Sequence, residues 1–223
     1  MDKGLLIFDL DDTLVHSKID FETLARWIRR ELVERGVVRD HLELETMSVS
    51  QLLQLADLFD REHGTSHGAE FWRKVEEAEM AGMARATVEE GAPVVLAELK
   101  ARGFTLCILT NNTRLVATTV LQKFALDQYI ETLVTREQVS RLKPDPEGLL
   151  RLKEKYREQV DRMFFIGDSW IDGLAANRAG IPFIGFNCRE PRDVKMVANV
   201  SNLRELVKLL EEICPLEEGG CGG

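Results

Sequence analysis

The sequence predicts an α/β protein: a doubly wound, mostly parallel sheet with an inserted helical lobe. Three observations carry that prediction. Short apolar runs such as Leu5–Phe8 and Phe104–Leu109 each end in polar residues, as strands buried on both faces do. From Gly91 onward such runs alternate with amphipathic stretches, the pattern of parallel strands joined by crossover helices. Between the first run and Gly91, about seventy residues carry helical spacing and no strand signal.

The first strand is predicted over Leu5 to Phe8, delivering Asp9, Asp11 and Asp12 at its carboxyl end. If the extended geometry continued, Asp9 and Asp11 would project to one side. Two carboxylates about 4 Å apart at an effective dielectric near 20 repel by roughly 4 kcal/mol, so one must hold a proton or a cation must sit between them. Phe21, Leu24, Ala25, Ile28 and Leu32 recur at helical spacing between Asp20 as start and Gly36 as stop. Leu52, Leu55, Ala56 and Phe59 predict a second helix ending near Gly64, and Phe71, Val75 and Ala78 mark a third over about 69–88. The lobe is thus assigned to residues 16–90, reached through linkers near His16 and Gly91, with residues 1–15 and 91–216 forming the α/β core.

In the core, Pro93 suits a first helical turn and Gly103 a stop. The Phe104–Leu109 strand ends in Thr110, Asn111 and Asn112; a helix from about Arg114 to Phe124 and a strand near Thr132 to Thr135 follow. Asp145 can cap a helix with Pro146 in its first turn, running to about Arg157. Met163 to Ile166 forms a strand ending in Gly167 and Asp168, a short helix carries Ile171 to Ala179, and Pro182 to Phe186 is expected to be the last strand. Leu203, Leu206, Val207 and Leu210 make a closing amphipathic helix, and the glycine-rich stretch 217–223 is expected to be disordered.

Composition limits the function. With 223 residues, 44% hydrophobic and 30% charged, the chain can bury a proper core. A net charge of −9 argues against nucleic acid or an anionic membrane as partner. No apolar span reaches membrane length and no signal peptide precedes the first strand, so a cytoplasmic location is expected. Cys107, Cys188, Cys214 and Cys221 show no paired spacing and are read as reduced thiols. Oligomeric state is not encoded in any such feature.

Three strand ends now carry polar groups suited to phosphate chemistry: Asp9 with Asp11, Thr110 with Asn111, and Asp168. In an open parallel sheet they converge on one crevice. Asp9, Asp11 and Asp168 form a set of hard oxygen ligands that suits magnesium rather than zinc. Asp172 lies one helical turn beyond Asp168, and Lys143 is the positive charge available beside them.

These residues resemble the haloacid dehalogenase superfamily of aspartyl phosphohydrolases. Asp9-Leu10-Asp11-Asp12-Thr13 is similar to its first motif, Thr110 to the second, Lys143 in Arg-Leu-Lys-Pro-Asp-Pro to the third, and Gly167, Asp168 and Asp172 to the fourth. The run from Gly167 to Ile181 looks like the phosphoglycolate-phosphatase-like branch, which carries a helical cap. The resemblance implies that Asp9 attacks phosphorus to form an acyl phosphate and that Asp11 serves as general acid and base. It implies that Thr110 and the Asn111 amide hold phosphate oxygens, and that Lys143 orients Asp9 and offsets transition-state charge. It also implies that Asp9, Asp168 and the Asp11 carbonyl bind magnesium, with Asp172 in the outer shell. Two positions depart from the family pattern. Asp12 stands where glycine is common, and His16 where aspartate is common, so His16 is read as a substrate contact or as hinge packing.

The expected activity is magnesium-dependent hydrolysis of a small phosphorylated metabolite. A dehalogenase would lack the acid at Asp11. A phosphomutase would keep both acids but interconvert sugar phosphates without releasing phosphate. A phospho-acceptor signalling domain would be far shorter and have no use for the lobe, and a non-catalytic interaction protein gives no reason to keep Asp11 and Lys143 together. A lobe closing over the crevice excludes water and favours a small substrate. Arg26, Arg29, Arg30, His63, His67, Trp72 and Arg73 are its candidate specificity contacts, against the commoner reading of such residues as solvated or packing groups.

Overall fold

The computed structural model describes residues 4–38, 42–189 and 193–214. The glycine-rich stretch expected to be disordered lies outside them, as does Cys221. In chain order the elements are β1 (Gly4–Phe8), β2 (Val15–His16), α1 (Phe21–Glu34), α2 (Val49–His63), α3 (His67–Ala84), β3 (Thr87–Val88), α4 (Ala92–Ala101), β4 (Thr105–Leu109), α5 (Arg114–Lys123), β5 (Thr132–Val134), α6 (Glu147–Tyr156), β6 (Arg162–Gly167), α7 (Trp170–Ala179), β7 (Phe183–Phe186), β8 (Ala198–Val200) and α8 (Leu203–Ile213).

Six strands form one parallel sheet in the order β5-β4-β1-β6-β7-β8. The chain winds outward from β1 in both directions, so the strand order reverses beside β1, where a ligand crevice opens. β1 is completely buried, and its alternation divides the core. Leu6 and Phe8 join the apolar cluster that includes Val95, Leu96, Val116 and Leu206 from α4, α5 and α8. Leu5 and Ile7 join the opposite cluster with Leu149, Leu152, Ala175 and Ala176 from α6 and α7.

The α1–α3 lobe has its own apolar cluster, in which Leu24, Ile28 and Leu32 meet Leu52, Leu53, Ala56, Phe71 and Val75. Local signals set its ends. The Asp20 side chain accepts from the Thr23 amide at 2.9 Å to start α1. Ser48 and Gln51 make a reciprocal capping box at α2, which ends on Gly64 at φ +70°, a conformation that disfavours a side chain.

Three details differ from the expectation. The linkers are not open coil: β2 pairs antiparallel with β3, Val15 opposite Val88 and His16 opposite Thr87, so α3 stops at Ala84 rather than continuing to Val88. Two-residue strands hold too little sequence for periodicity to register. Phe183–Phe186 is also not the last strand, since β8 adds beyond it. At α6 the helix starts at Glu147, with Pro146 at the N-cap rather than in the first turn, so Asp145 lies one residue before the cap, where its Oδ1 accepts from the Glu147 amide at 3.0 Å. Among the described residues no helix is long and apolar enough to cross a membrane.

Candidate active site

The site assembles at the carboxyl ends of β1, β4 and β6, the three central neighbours of the sheet. β1 ends at Phe8, and the Asp9 amide makes one last ladder bond, donating to the Ile166 carbonyl at 2.8 Å. The chain then turns instead of staying extended. The Leu14 and Val15 amides both donate to the Leu10 carbonyl, and Asp12 takes φ +52°. That left-handed backbone is where glycine is usual, and aspartate is among the few side chains that tolerate it.

Lys143 is 5% exposed, and its ammonium donates to Asp9 Oδ1 at 2.5 Å, to Asp172 Oδ1 at 2.7 Å and to the Leu109 carbonyl at 3.2 Å. The lysine expected from sequence to supply positive charge beside the acids is therefore buried in the crevice. Its main chain is fixed as well: Asn111 Oδ1 accepts from the Lys143 amide at 3.0 Å, and Asn111 Nδ2 donates to the Lys143 carbonyl at 3.1 Å. Ser50 of the lobe donates to the same carbonyl at 3.0 Å. Burial works against the lysine charge, but Asp172 and Asp9 more than offset it and raise its pKa.

Asp9, Asp168 and Asp172 each offer a carboxylate oxygen, all within 4.8 Å of one another. Burial first, then mutual repulsion, pushes the Asp9 and Asp168 carboxyls well above the ordinary range despite Lys143. One ammonium is too little positive charge for this cluster, and a hard dication is what an all-oxygen donor set of this kind accepts. Asp172 is already occupied. One oxygen takes Lys143, and the other accepts from Ser169 Oγ at 2.5 Å and from the Ser169 amide at 3.2 Å. Gly167 makes room for it, since a Cβ there would lie 2.7 Å from Asp172 Cβ.

Asp11 has the features of a proton carrier. Burial lifts its pKa to about 6, against hydrogen bonds from Ser17 and Asn112 that lower it. Asn112 Nδ2 donates to Oδ2 at 2.6 Å, whereas Oδ1 is buried with no partner. Asn112 was visible in the sequence only as a polar strand end; its grip on Asp11 spans 101 residues. Thr110 is 2% exposed, its hydroxyl accepting from the Asn112 amide at 3.2 Å.

Over these groups lies a cavity of about 620 Å³, walled by the strand ends and by residues of the lobe including Phe21, Ala25, Leu53, Trp72 and Val75. Of the seven lobe residues considered from sequence, Trp72 lines it. Arg29 instead donates to the carbonyls of Leu44, Glu45 and Met47. Arg26 pairs with Glu22, Arg30 with Glu31 and Arg73 with Glu77, His63 stacks on Phe59, and His67 meets Arg35. His16 is not among the lining residues; its Nε2 lies 2.6 Å from Glu89 Oε2, joining the two linkers. Among the lining residues that sequence reasoning missed are Glu79 and Arg136, which form a buried ion pair between lobe and core. The signal for Glu79 was present: it falls four residues after Val75 on the apolar stripe of α3.

Comparison with known proteins agrees with this geometry. Residues 6–186 match the family model of haloacid dehalogenase-like hydrolases. The chain is 31% identical over 182 residues to a plasmid-encoded phosphoglycolate phosphatase of Cupriavidus necator, covering 79% of this chain and 78% of that one. It is 31% identical over 186 residues to the phosphoglycolate phosphatase of Rhodospirillum rubrum, covering 80% and 77%. A hydrolase structure from Pseudomonas syringae superposes with a TM-score of 0.69 at 25% identity, covering 94% of this chain and 99% of that one.

Proposed function

The chain belongs to the haloacid dehalogenase-like hydrolases, and on that premise we propose that it is a magnesium-dependent phosphatase hydrolysing a small phosphomonoester through an aspartyl phosphate. The observation that carries the reading is Lys143, buried between Asp9 and Asp172 at the switch point of the sheet. Such an arrangement gives a carboxylate nucleophile a fixed direction and a fixed counter-charge.

An Asp9 oxygen attacks phosphorus while the bond to the leaving alcohol breaks, and Asp11 gives that alcohol its proton. Because Asn112 occupies Oδ2, Oδ1 is the atom that carries the proton. Asp11 then takes a proton from water, whose oxygen attacks the aspartyl phosphate, releasing inorganic phosphate and restoring Asp9. Thr110 and the Asn111 amide hold phosphate oxygens meanwhile. Asp9, Asp168 and the Asp11 carbonyl would hold magnesium, which when bound supplies charge that offsets the carboxylates and polarises a phosphate oxygen. Residues 16–90 act as the cap and residues 1–15 and 91–216 as the catalytic core. The setting is cytoplasmic, and the partner is a small phosphorylated metabolite, the class to which the substrate named for its relatives belongs.

Phosphate release from a panel of small phosphoesters tests the reading. Turnover is expected with magnesium, not in excess chelator, and to fall at least ~10⁴-fold in Asp9→Asn with the fold intact by circular dichroism. Near-normal release by that variant, or full activity in chelator, overturns it. Interconversion of sugar phosphates without phosphate release would identify a mutase instead.

A further inference from the structure

The cavity has two chemically different ends. At its floor lie the aspartates and Lys143; above them the lobe contributes Phe21, Ala25, Val49, Leu53, Trp72 and Val75. Phe21 is 38% exposed although large and apolar, and it lines this cavity. An aromatic side chain at the wall of a pocket offers a ligand an apolar face. At about 620 Å³ the space falls in the range of ~300–1,000 Å³ typical for molecules much larger than a two-carbon phosphoester.

Charge points the same way. Beyond the floor aspartates and Lys143, the charged residues lining the cavity are the lobe's Glu22 and Glu79 and a single cation, Arg136. Lys143 is taken by Asp9 and Asp172. Arg136 is taken by Glu79 at 2.5 Å, their side chains 12% and 4% exposed, and its guanidinium lies 4.8 Å over the Trp72 ring. A substrate with a second negative charge on its leaving group would have to displace Glu79 from Arg136 or sit among acids. Either course costs binding energy that a neutral leaving group does not lose.

We infer that this cavity selects phosphomonoesters whose alcohol portion is uncharged and carries a ring or similar apolar face, Glu79 excluding carboxylate-bearing esters by neutralising Arg136. The inference rests on the phosphatase reading and deepens it. It also separates this chain from relatives named for phosphoglycolate, whose leaving group carries a carboxylate.

The test compares benzyl phosphate with phosphoglycolate, both esters of primary alcohols, on the full chain with magnesium at pH 8. That pH lies above the value of about 7 to which burial, opposed by Arg136, raises Glu79. kcat/KM is expected to favour benzyl phosphate by at least about tenfold. Glu79→Gln, which keeps shape and frees the guanidinium, is expected to narrow that ratio about tenfold by raising phosphoglycolate use. Trp72→Ala is expected to narrow it by lowering benzyl phosphate use. A wild-type preference for phosphoglycolate, or a ratio that neither variant moves, overturns the inference. Calorimetric binding of both esters to the Asp9→Asn chain separates the two failures. If the wild type hydrolyses neither ester, the panel assay with magnesium decides the phosphatase reading, while tighter binding of benzyl phosphate upholds the selectivity and any other binding result overturns it.

Discussion

The two cations of the cavity are buried in opposite ways. Lys143 is held from several sides: its ammonium meets carboxylates that follow β1 and β6 and a carbonyl of β4, and its main chain is clasped by Asn111. Arg136 has one carboxylate, borrowed from α3 of the lobe, while its Nε is buried without a partner. The bonds of the ammonium all lie within the α/β core, and what the lobe adds is the Ser50 bond to the Lys143 carbonyl. The Arg136 pair exists only when the lobe is seated. In the proposed enzyme, chemistry is therefore tied to the sheet and selectivity to the contact between lobe and core.

The sharpest way to break this contrast is to remove each cation in turn. Lys143→Met is expected to lower kcat at least ~10³-fold, the scale of losing a positioned charge at a developing anion. In chelator it should also destabilise the fold by about 3 kcal/mol, because Asp9 and Asp172 lose their shared counter-ion. Arg136→Met should cost less, about 1–2 kcal/mol by chemical denaturation, because it uncovers one buried carboxylate, Glu79, where the loss of Lys143 uncovers two. Equal losses for the two variants would remove the distinction.

Asp11 comes next in size. Asp11→Asn should reduce turnover of alkyl phosphates about a hundredfold, and less for esters with acidic alcohols that leave without a proton. The sign of the pH dependence follows from the raised value of about 6. The proton to be donated is present below that value and lost above it, so kcat/KM for an alkyl ester should decline as pH rises through about 6. A wild-type profile rising through that interval would assign the first proton transfer to another group.

The parts of the site that were legible in the sequence are those that local pattern encodes. A buried strand must be apolar and must end somewhere, so Asp9, Thr110 and Asp168 could be placed at strand ends, and a parallel sheet forces such ends together. Lys143 lies outside any strand, and its burial became evident only with the crevice around it. The Asn112 bond to Asp11 and the Arg136 pair with Glu79 connect residues 101 and 57 positions apart, and no periodicity reports a partner at that range. The β2–β3 ribbon and β8 escaped for a different reason: strands of two or three residues complete too little of a period-two alternation to stand out.

The smallest expected effect concerns the joint between the two bodies. His16 and Glu89 sit on the two strands or linkers that lead into and out of the lobe, 2.6 Å apart, and His16 keeps 39% of its side chain in solvent. A pair so exposed should contribute well under about 1 kcal/mol, so His16→Ala should barely move the denaturation midpoint. What it should change is lobe seating. A contact that only steadies the joint raises KM by a similar small factor for every substrate, whereas a contact to the leaving group would change KM unequally across benzyl phosphate, phosphoglycolate and a sugar phosphate. A uniform change of about two- to threefold, within the effect of a partly exposed pair, would assign His16 to the joint, and a selective change would return it to the substrate.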